Sequence, residues 1–498
     1  MKKYLMAIDA GTGSVRAVLF DVEGNQIGCS QHEWTHNEDP RFPGSMDFDW
    51  TFNWKLASSC VRNVLAETGI DPADIAAIST TCMREGILLY DQDGNEIWAC
   101  ANVDARSTDE VAELIRMDPD LELALYQKSG QSYALNAIPR ILWVKNNLPE
   151  IYEKTAKVGM FNDWLIYKLT GVLAVEPSNG STTGLLDLQT RTWDTDIAAK
   201  CHLRTDIFPD VLECGSIAGA VTAKGAAETG LAEGTPVVVG GGDCQLGTIG
   251  VGACKPGEAA VFGGSFWQYE FNTDSGKTDP YGRVRVNCHA VPGVWQYEAL
   301  AFKPGLVMRW FRDGFCQEEK RKAKEIGDDP YNLMNREAEK IPAGCYGMMC
   351  CFSDVMNFIN WKHAAPTFTN FELLPEKFNK YTFYRSILEN TAMLVKGHIE
   401  LVKEATGNEP DKLIFAGGAS VSDLWSQILA DVTGKTVVTP VVKEATALGA
   451  AILAGYGVGI YPSIAEGAAR CAKVDKTFTP NLENKKIYDE MYPVWREV

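Results

Sequence analysis

The chain begins with short apolar runs separated by turns rich in glycine, aspartate and asparagine. Runs of this length between turn-forming residues are typical of β-strands. A longer stretch with apolar residues at helical spacing follows from residue 50 to residue 68, and Asp49 precedes it as a candidate N-cap. The strands predicted in this first part cover residues 4–10, 15–20, 26–33 and 75–80.

The second half of the chain repeats the same order of elements. It also opens with a strand pattern that ends in small residues around an aspartate, here Asp243. The elements predicted there are strands over 236–240, 258–262, 266–271 and 412–416 and helices over 305–315, 381–406 and 421–433. This repetition favours an α/β protein built from two related units.

The composition is that of a globular protein with more than one hydrophobic core. The chain has 498 residues, of which 46% are hydrophobic and 22% charged, and this length exceeds a single core. No stretch reaches the ~18 uninterrupted apolar residues of a membrane span. The N-terminal apolar run is interrupted at Asp9 and is too short for a secretory signal. We therefore expect a cytoplasmic protein.

Charge and cysteine spacing restrict the partners. The formal net charge of −18 argues against nucleic acids and anionic membranes, since both would be repelled. A single nucleotide is still allowed, because backbone N–H groups and a few side chains suffice to bind it. The fourteen cysteines are scattered and include no CxxC pair. This predicts free buried thiols in place of disulfides or a zinc site.

Residues 9–14 (DAGTGS) form a candidate phosphate-binding turn. Its glycines would let the backbone approach a phosphate, and the Thr12 and Ser14 hydroxyls could donate to phosphate oxygens. Asp9, at the end of a strand, is placed to hold Mg²⁺ directly or through water. The alternative is a plain hairpin turn that Asp9 caps. The turn is neither a Walker loop nor a dinucleotide fingerprint, because a strand follows it and no GxxxxGK[ST] is present.

Two further glycine turns follow predicted strands in the second half. They are residues 263–265 (GGS) and residues 416–419 (AGGA), and the second comes directly before a predicted helix. The N-terminus of that helix could take a phosphate or a ribose hydroxyl. Three such turns in one chain are expected when two domains hold one nucleotide from both sides.

Asp243 follows three glycines at the end of a predicted strand. A carboxylate flanked by residues without bulk is accessible to a ligand. Phosphoryl transfer to an alcohol requires a group that orients the hydroxyl and accepts its proton, and Asp243 fits that base. It fits a helix N-cap equally well, because residues 244–252 could begin a helix.

Arg84 and Glu85 form an adjacent cation and anion after the predicted strand 75–80. Such a pair could hold vicinal hydroxyls of a substrate, one side chain donating and the other accepting. The alternative is a surface ion pair of little consequence. Asp104 and Arg106 allow the same two interpretations.

In their order along the chain these segments resemble the FGGY family of carbohydrate kinases, over nearly the whole sequence. The resemblance includes residues 8–14 (IDAGTGS), GGGD at 240–243, the GGS and AGGAS turns, and residues 444–451 (EATALGAA). It implies two ribonuclease-H-like domains of the actin/hexokinase/Hsp70 type that flank a cleft for nucleotide and substrate. The expected boundaries are 1–252 for the N-terminal, substrate-binding domain and 253–498 for the C-terminal, ATP-binding domain.

The resemblance also implies roles for individual residues. Asp243 would be the catalytic base, and Asp9 would serve a Mg²⁺ ion. The substrate would be bound by Arg84, Glu85, Asn136, Asp243 and Gln245. ATP would be bound by Thr12, Gly13, Ser14, Gly264, Ser265, Gly305, Gly417, Gly418 and Ser422. The family often carries asparagine at the position of Ser422.

Within the family, residues 82–87, 99–106 and 137–140 resemble one group of members, and this resemblance implies a particular substrate. Arg140 stands where most members have lysine, which weakens the likeness to xylulose and glycerol kinases. The implied reaction is ATP-dependent phosphorylation of the terminal hydroxyl of linear 4,5-dihydroxypentane-2,3-dione, a quorum-sensing signal. The alternatives are another sugar or polyol, such as xylulose or gluconate, and, from a different class, an actin- or Hsp70-like ATPase. The oligomeric state cannot be read from the chain; a homodimer is suggested only by analogy with related kinases.

Overall fold

The structure, a computed structural model, describes residues 3–361, 365–442 and 444–498. The chain forms two compact units, each discontinuous in sequence. Unit 1 comprises Met1–Pro256, Asn272–Gln296 and Glu444–Lys473, and unit 2 comprises Gly257–Phe271, Tyr297–Lys443 and Val474–Val498. The sequence-based prediction is a single division after residue 252, whereas in the structure the chain returns twice to unit 1 after leaving it.

A six-stranded sheet forms the centre of unit 1. In spatial order its strands are Ile217–Ala220, Pro236–Gly242, Ile75–Cys82, Tyr4–Ala10, Ser14–Asp21 and Gln26–Glu33. The second, third and fourth strands of this order are parallel, so their carboxyl ends lie at one edge of the sheet. Apolar side chains of these strands, including Ile8, Ile78 and Val237, are completely buried, and helices supply the apolar residues that pack against them.

Smaller sheets and helices complete unit 1. The additional strands are Ile87–Tyr90, Glu96–Cys100, Lys157–Met160, Leu186–Asp187 and Thr192–Trp193, which form smaller sheets, and Arg285–Cys288, which is the edge strand of a seven-stranded sheet. The α-helices are Trp50–Thr68, Thr108–Met117, Leu121–Ser129, Ala137–Asn147, Pro149–Lys154, Phe161–Thr170, Pro177–Gly180, Thr195–Lys200, Ala223–Thr229, Asp243–Gly250, Ala445–Gly457 and Ile464–Cys471. The short 3₁₀ turns are Pro72–Asp74, Tyr133–Leu135 and Ser181–Thr183.

Unit 2 is also a sheet with flanking helices. Its main strands, in spatial order, are Trp295–Ala301, Trp267–Thr273, Ala259–Gly263, Lys412–Ala416, Thr436–Pro440 and Val474–Phe478. A separate pair consists of Met349–Cys351 and Thr367–Thr369. The α-helices are Pro304–Phe315, Gln317–Ile326, Pro330–Ala338, Lys380–Thr406, Asp423–Thr433 and Leu482–Glu497, and the 3₁₀ turns are Cys345–Gly347 and Gly418–Val421.

Most of the predicted elements are confirmed, with small shifts at their ends. The strands Tyr4–Ala10, Gln26–Glu33 and Lys412–Ala416 and the helix Trp50–Thr68 have the predicted bounds. Asp49 caps that helix by accepting a hydrogen bond from the Phe52 N–H at 2.9 Å. The helix predicted over 421–433 begins only at Asp423, because a 3₁₀ turn precedes it.

The helices and the cysteines agree with the expectations from composition. Across residues 3–361, 365–442 and 444–498, no helix combines the length and apolar character needed to cross a membrane. All fourteen cysteines carry free thiols, and all except Cys29 and Cys351 are buried.

Candidate functional site

Three predicted site segments meet at one edge of the sheet in unit 1. Asp9 lies at the end of Tyr4–Ala10, Arg84 follows Ile75–Cys82, and Asp243 follows Pro236–Gly242. The register places Cys82 beside both Ala10 and Gly242, and the Met83 N–H donates to the Ala10 carbonyl at 2.8 Å. The parallel strands therefore bring together residues that are far apart in sequence.

Asp243 is the first residue of the helix Asp243–Gly250, whose N-cap is Gly242. Its Oδ1 atom accepts from the Cys244 N–H at 2.8 Å and lies 3.5 Å from Nε of Arg84. The alternative prediction of an Asp243 N-cap is therefore wrong, because the chain becomes helical one residue earlier. The Asp243 side chain is 39% exposed, so its carboxylate is accessible to a ligand.

Asp9 lies in an acidic group next to Arg16. Its Oδ2 atom is 3.4 Å from Nε of Arg16, and the Arg16 guanidinium also forms an ion pair with Glu444. Burial raises the pKa of Asp9 to about 7; Arg16 lowers it, and the nearby carboxylates of Asp243 and Glu444 raise it further. A carboxylate in this position would be stabilised by an additional cation.

Glu444 reaches this group because two helices of unit 1 pack unusually closely. A Cβ atom at Gly250 would lie 1.8 Å from the Ala445 carbonyl oxygen, and one at Gly449 would lie 1.9 Å from that of Leu246. Only glycine allows this approach of Asp243–Gly250 to Ala445–Gly457. The packing brings the start of the second helix to the start of the first, where the Thr446 hydroxyl donates to the Asp243 carbonyl at 3.5 Å.

Arg84, Glu85 and Gly86 form a tight three-residue turn. The Gly86 N–H donates to the Arg84 carbonyl at 2.9 Å, and Glu85 has a φ of 66°. This left-handed conformation is uncommon and strained for glutamate. Arg84 and Glu85 do not form the surface ion pair of the alternative interpretation: Arg84 is buried beside Asp243, and Glu85 pairs with Arg285 at 2.7 Å.

Asn136 and Gln245, the other predicted substrate ligands, have buried amide atoms that lack a partner. Asn136 caps the helix Ala137–Asn147, with Oδ1 accepting from the Ile138 N–H at 2.9 Å. Within the described parts of the chain, its Nδ2 atom and both amide atoms of Gln245 are buried and lack hydrogen bonds. Oε1 of Gln245 lies beside Gly242, so Gln245 is near Asp243, whereas Asn136 contacts Gly184.

The predicted phosphate turn connects two antiparallel strands, as expected. Gly13 is exposed, and Thr12 and Ser14 are half-buried. Nδ2 of Asn102 donates to the Thr12 hydroxyl at 3.0 Å, and the Gly11 carbonyl accepts from the Trp34 indole N–H at 3.0 Å. These contacts hold the turn in place while its tip remains accessible.

Unit 2 contains a separate cavity of about 440 Å³. Five of the predicted ATP-binding residues line it: Gly264, Ser265, Gly305, Gly418 and Ser422. Further lining residues that the sequence analysis does not identify include Arg309, Asn335 and Tyr384. The Tyr384 hydroxyl donates to Oδ1 of Asn335 at 2.8 Å, and Nδ2 of Asn335 donates to the Ser422 hydroxyl at 3.1 Å.

Gly417, also predicted to bind ATP, is not among the residues that line this cavity. It has a φ of 89°, and a Cβ atom at this position would lie 2.7 Å from the Gly263 carbonyl oxygen. Glycine is required here for the turn and for the close approach of two strand ends.

Asp104 and Arg106 form a buried ion pair at 2.6 Å, so the surface-pair interpretation is wrong for them too. The Arg106 guanidinium lies 5.3 Å from the Trp98 ring and 4.9 Å from the Trp143 ring. Oδ2 of Asp104 accepts from the Met46 N–H at 2.6 Å. These contacts join three segments of unit 1 and indicate a structural role.

Comparison with known proteins identifies the family. The model of the FGGY family of carbohydrate kinases matches its N-terminal domain to residues 4–250 and its C-terminal domain to residues 273–458. The autoinducer-2 kinase of Salmonella typhimurium is 50% identical over 496 residues, which cover 99% of this chain and 94% of that protein. An Escherichia coli autoinducer-2 kinase is 49% identical over 498 residues, covering 100% of this chain and 94% of that protein.

Solved structures show the same fold at low sequence identity. The xylulose kinase from Rhodospirillum rubrum is 23% identical and superimposes with a TM-score of 0.88, over 99% of this chain and 98% of that one. The expected two-domain α/β kinase fold is thereby confirmed, and the ATPase alternative is set aside by the kinase relatives. The chain belongs to the FGGY family of carbohydrate kinases.

Proposed function

We propose that this kinase transfers the terminal phosphoryl group of ATP to the terminal hydroxyl of a small linear acceptor, 4,5-dihydroxypentane-2,3-dione. The observation that carries the proposal is the meeting of Asp9, Arg84 and Asp243 at the carboxyl ends of three parallel strands. Relatives about half identical to the chain over its whole length are autoinducer-2 kinases, which supports the dione, the linear form of that signal, as acceptor.

Asp243 is the proposed base. Its carboxylate is accessible, and Nε of Arg84 lies 3.5 Å from Oδ1, so a cation lies beside the carboxylate that would accept the proton. In this role the carboxylate orients the acceptor hydroxyl and takes its proton as the oxygen attacks the terminal phosphorus atom of ATP, the bond from that phosphorus to the bridging oxygen breaks, and ADP leaves. Arg84 and Glu85 hold the neighbouring oxygens of the acceptor, and the unpaired buried amide of Gln245 gains a partner when a polar ligand binds.

Asp9 is the proposed residue for Mg²⁺, directly or through water. A hard carboxylate oxygen is a ligand that Mg²⁺ prefers, and the raised pKa of Asp9 indicates a site where a cation would relieve the cost of ionisation. The ion would neutralise charge on the phosphates. Thr12, Gly13 and Ser14 are the proposed donors to the terminal phosphates.

The cavity of unit 2 is the proposed site for the nucleoside of ATP. Gly264, Ser265, Gly305 and Gly418 supply backbone without bulky side chains, and Asn335 and Ser422 supply hydrogen-bonding groups at one wall. Gly417 is proposed to act indirectly, through the shape of the turn.

Charge pairing in unit 1 favours an uncharged acceptor over gluconate. Arg84 lies beside Asp243, and Glu85 is paired with Arg285, so each of these three proposed acceptor ligands has an opposite charge next to it. A dione or a ketopentose adds no charge to this arrangement, whereas a carboxylate would add one without a dedicated partner.

A coupled assay of ADP formation tests the proposal, with ATP and a panel of the dione, xylulose, glycerol and gluconate. We expect the highest kcat/KM for the dione, and we expect Asp243→Asn to lower kcat by at least about 10³-fold with nucleotide affinity unchanged. Asp206→Asn, at an exposed ion pair with Arg204, is the matched control and should resemble the wild type. A substantial kcat in Asp243→Asn would remove Asp243 as the base, and a higher kcat/KM for another acceptor would replace the dione.

A further inference from the structure

Arg285 is a completely buried cation in the short strand Arg285–Cys288 of unit 1, only 1% exposed. A guanidinium loses its hydration when it is buried, which is unfavourable unless anions and hydrogen-bond acceptors replace the water. Its Nη2 atom donates to Oε1 of Glu85 at 2.7 Å, and its Nε atom donates to Oε1 of Gln131 at 2.8 Å. Of these two partners, Glu85 belongs to the proposed acceptor site.

Gln131 holds Arg285 in a fixed orientation. The Gln131 side chain is itself completely buried, and its Nε2 atom donates to Oδ1 of Asn287 at 3.0 Å and to the Val286 carbonyl at 3.1 Å. Both of these acceptors lie in the same strand as Arg285. The strand and Gln131 therefore fix the guanidinium before any ligand binds, so that its orientation does not have to be established at the moment of binding.

Glu85 is held from two sides. The Arg140 guanidinium donates to the Glu85 carbonyl, and Arg285 binds the Glu85 carboxylate. Between these contacts the backbone has a φ of 66°, a conformation that persists only when the surroundings impose it. Half-buried Glu85 thus presents its carboxylate in one orientation.

We infer that Arg285 is a positioning residue for acceptor recognition: it fixes the carboxylate of Glu85 and compensates its charge, so that Glu85 can accept hydrogen bonds from hydroxyl groups of an uncharged acceptor. Arg285 acts through Glu85 and does not itself touch the acceptor. This inference rests on the proposed function, because it takes Glu85 as an acceptor ligand.

The alternative is that Arg285 only stabilises the core of unit 1. The two roles differ in what a substitution changes. If the role is structural, a substitution should lower the stability and affect the kinetics with both substrates alike. If Arg285 is a positioning residue, its substitution should raise the KM for the acceptor and leave the KM for ATP unchanged. This effect should also require the carboxylate of Glu85.

The test is a double-mutant cycle of Arg285→Met and Glu85→Gln, with kinetics on the best acceptor of the panel. Arg285→Met alone should raise the acceptor KM by about ten- to a hundredfold, the effect of a lost hydrogen bond to a charged group, with the ATP KM within about twofold. In the Glu85→Gln background the same substitution should change the acceptor KM by less than about threefold. Equal effects in both backgrounds, or an unchanged acceptor KM in Arg285→Met, would overturn the inference.

A second variant at Arg285 and a variant at a neighbouring site serve as controls for folding. Arg285→Lys keeps the charge and loses the planar fork; if Arg285→Met does not fold, Arg285→Lys takes its place in the cycle, with the same pattern and smaller increases expected. Arg283→Lys is the matched control, because Arg283 pairs with Asp279 at 2.9 Å in the same segment and should leave both KM values unchanged. Whether the dione is the best acceptor is decided by the wild-type panel, so a failure of that proposal is seen separately from a failure of this one.

Discussion

Asp9 illustrates how one carboxyl group can link pH to metal binding. Its pKa is raised to about 7, mainly by burial, with Asp243 and Glu444 contributing in the same direction. A raised pKa means that the neutral acid dominates below about pH 7 in the absence of a ligand. A metal ion binds the ionised carboxylate, so protons and Mg²⁺ would compete for Asp9 if Asp9 is the proposed metal ligand.

We therefore predict that the Mg²⁺ concentration for half-maximal activity increases as the pH falls below about 7, approaching about tenfold per unit because one proton is displaced. Above about pH 8 it should become constant. The measurement is a Mg²⁺ titration of initial rates at saturating acceptor between about pH 5.5 and about pH 8.5. The apparent acceptor KM should be measured at the same pH values, because a change in it would indicate that groups other than Asp9 titrate in the acceptor site. A half-maximal concentration that does not vary with pH would show that Asp9 does not bind the metal.

The same carboxyl group predicts a stability effect with a defined sign. Because the folded-state pKa exceeds the ordinary value of 3.8, ionisation of Asp9 opposes folding, and the wild type loses stability relative to Asp9→Asn as the pH rises from about 4 to about 7. Thermal unfolding of both proteins without metal, at several pH values, measures the difference. A constant difference between the two midpoints would contradict the raised pKa.

Arg84 provides a prediction that separates acceptor binding from nucleotide binding. Arg84→Met removes a buried cation next to Asp243, and we expect the acceptor KM to increase by at least about tenfold with the ATP KM nearly unchanged. Arg41→Met is a suitable control, because Arg41 is largely exposed and pairs with Asp39. If steady-state kinetics in both substrates gave an unchanged acceptor KM for Arg84→Met, the acceptor site would have to lie elsewhere.

At the scale of elements, the start of the helix Asp423–Thr433 combines a stabilising contact with a wall of the cavity of unit 2, the proposed nucleoside site. The Ser422 hydroxyl accepts from the Trp425 N–H at 3.2 Å and from Nδ2 of Asn335 at 3.1 Å. We predict that Ser422→Ala destabilises the protein by about 1 kcal/mol through loss of the N-cap, whereas Ser422→Asn, which can also cap, does not. Urea unfolding measures the stability, and the ATP KM measures the cavity. Equal stability of Ser422→Ala and the wild type would contradict the capping role.

Elements with strong periodicity could be predicted from the sequence, and contacts between distant segments could not. The strand Tyr4–Ala10 and the helix Trp50–Thr68 follow directly from the pattern and the Asp49 cap. The segments carrying Asp9, Arg84 and Asp243 could be identified because each lies at or shortly after the end of a predicted strand. The partners Arg16, Arg285 and Asn335 could not, because their importance arises from register and packing and no local motif marks them.

Two of the alternatives that the sequence left open are wrong, and each has a physical reason. The helix after Gly242 begins at Asp243 itself, since an aspartate is as acceptable in the first turn of a helix as at the cap. The ion pairs proposed for Arg84–Glu85 and Asp104–Arg106 look alike in sequence. Their surroundings distinguish them: the first forms a turn next to Asp243, and the second lies beside two indole rings.

At the scale of the whole molecule, the net charge of −18 produces a long-range electrostatic field that repels anions and does not act on small neutral acceptors. An anionic acceptor such as gluconate is repelled during approach, and salt weakens this repulsion because the screening length falls to about 10 Å at about 0.1 M. The paired charges of the proposed acceptor site do not oppose this effect. Selectivity for neutral acceptors should therefore depend on ionic strength.

We predict that raising the ionic strength from about 20 mM to about 200 mM at saturating ATP and Mg²⁺ increases kcat/KM for gluconate severalfold and changes that for the dione by less than about twofold. Where gluconate turnover is too slow, its inhibition constant against the dione takes the place of kcat/KM and should decrease by the same factor. Sorbitol, an uncharged polyol of similar size, is the control for specific salt effects. If gluconate and sorbitol responded alike, long-range repulsion would not contribute to acceptor choice, and discrimination would have to come from contacts within the site alone.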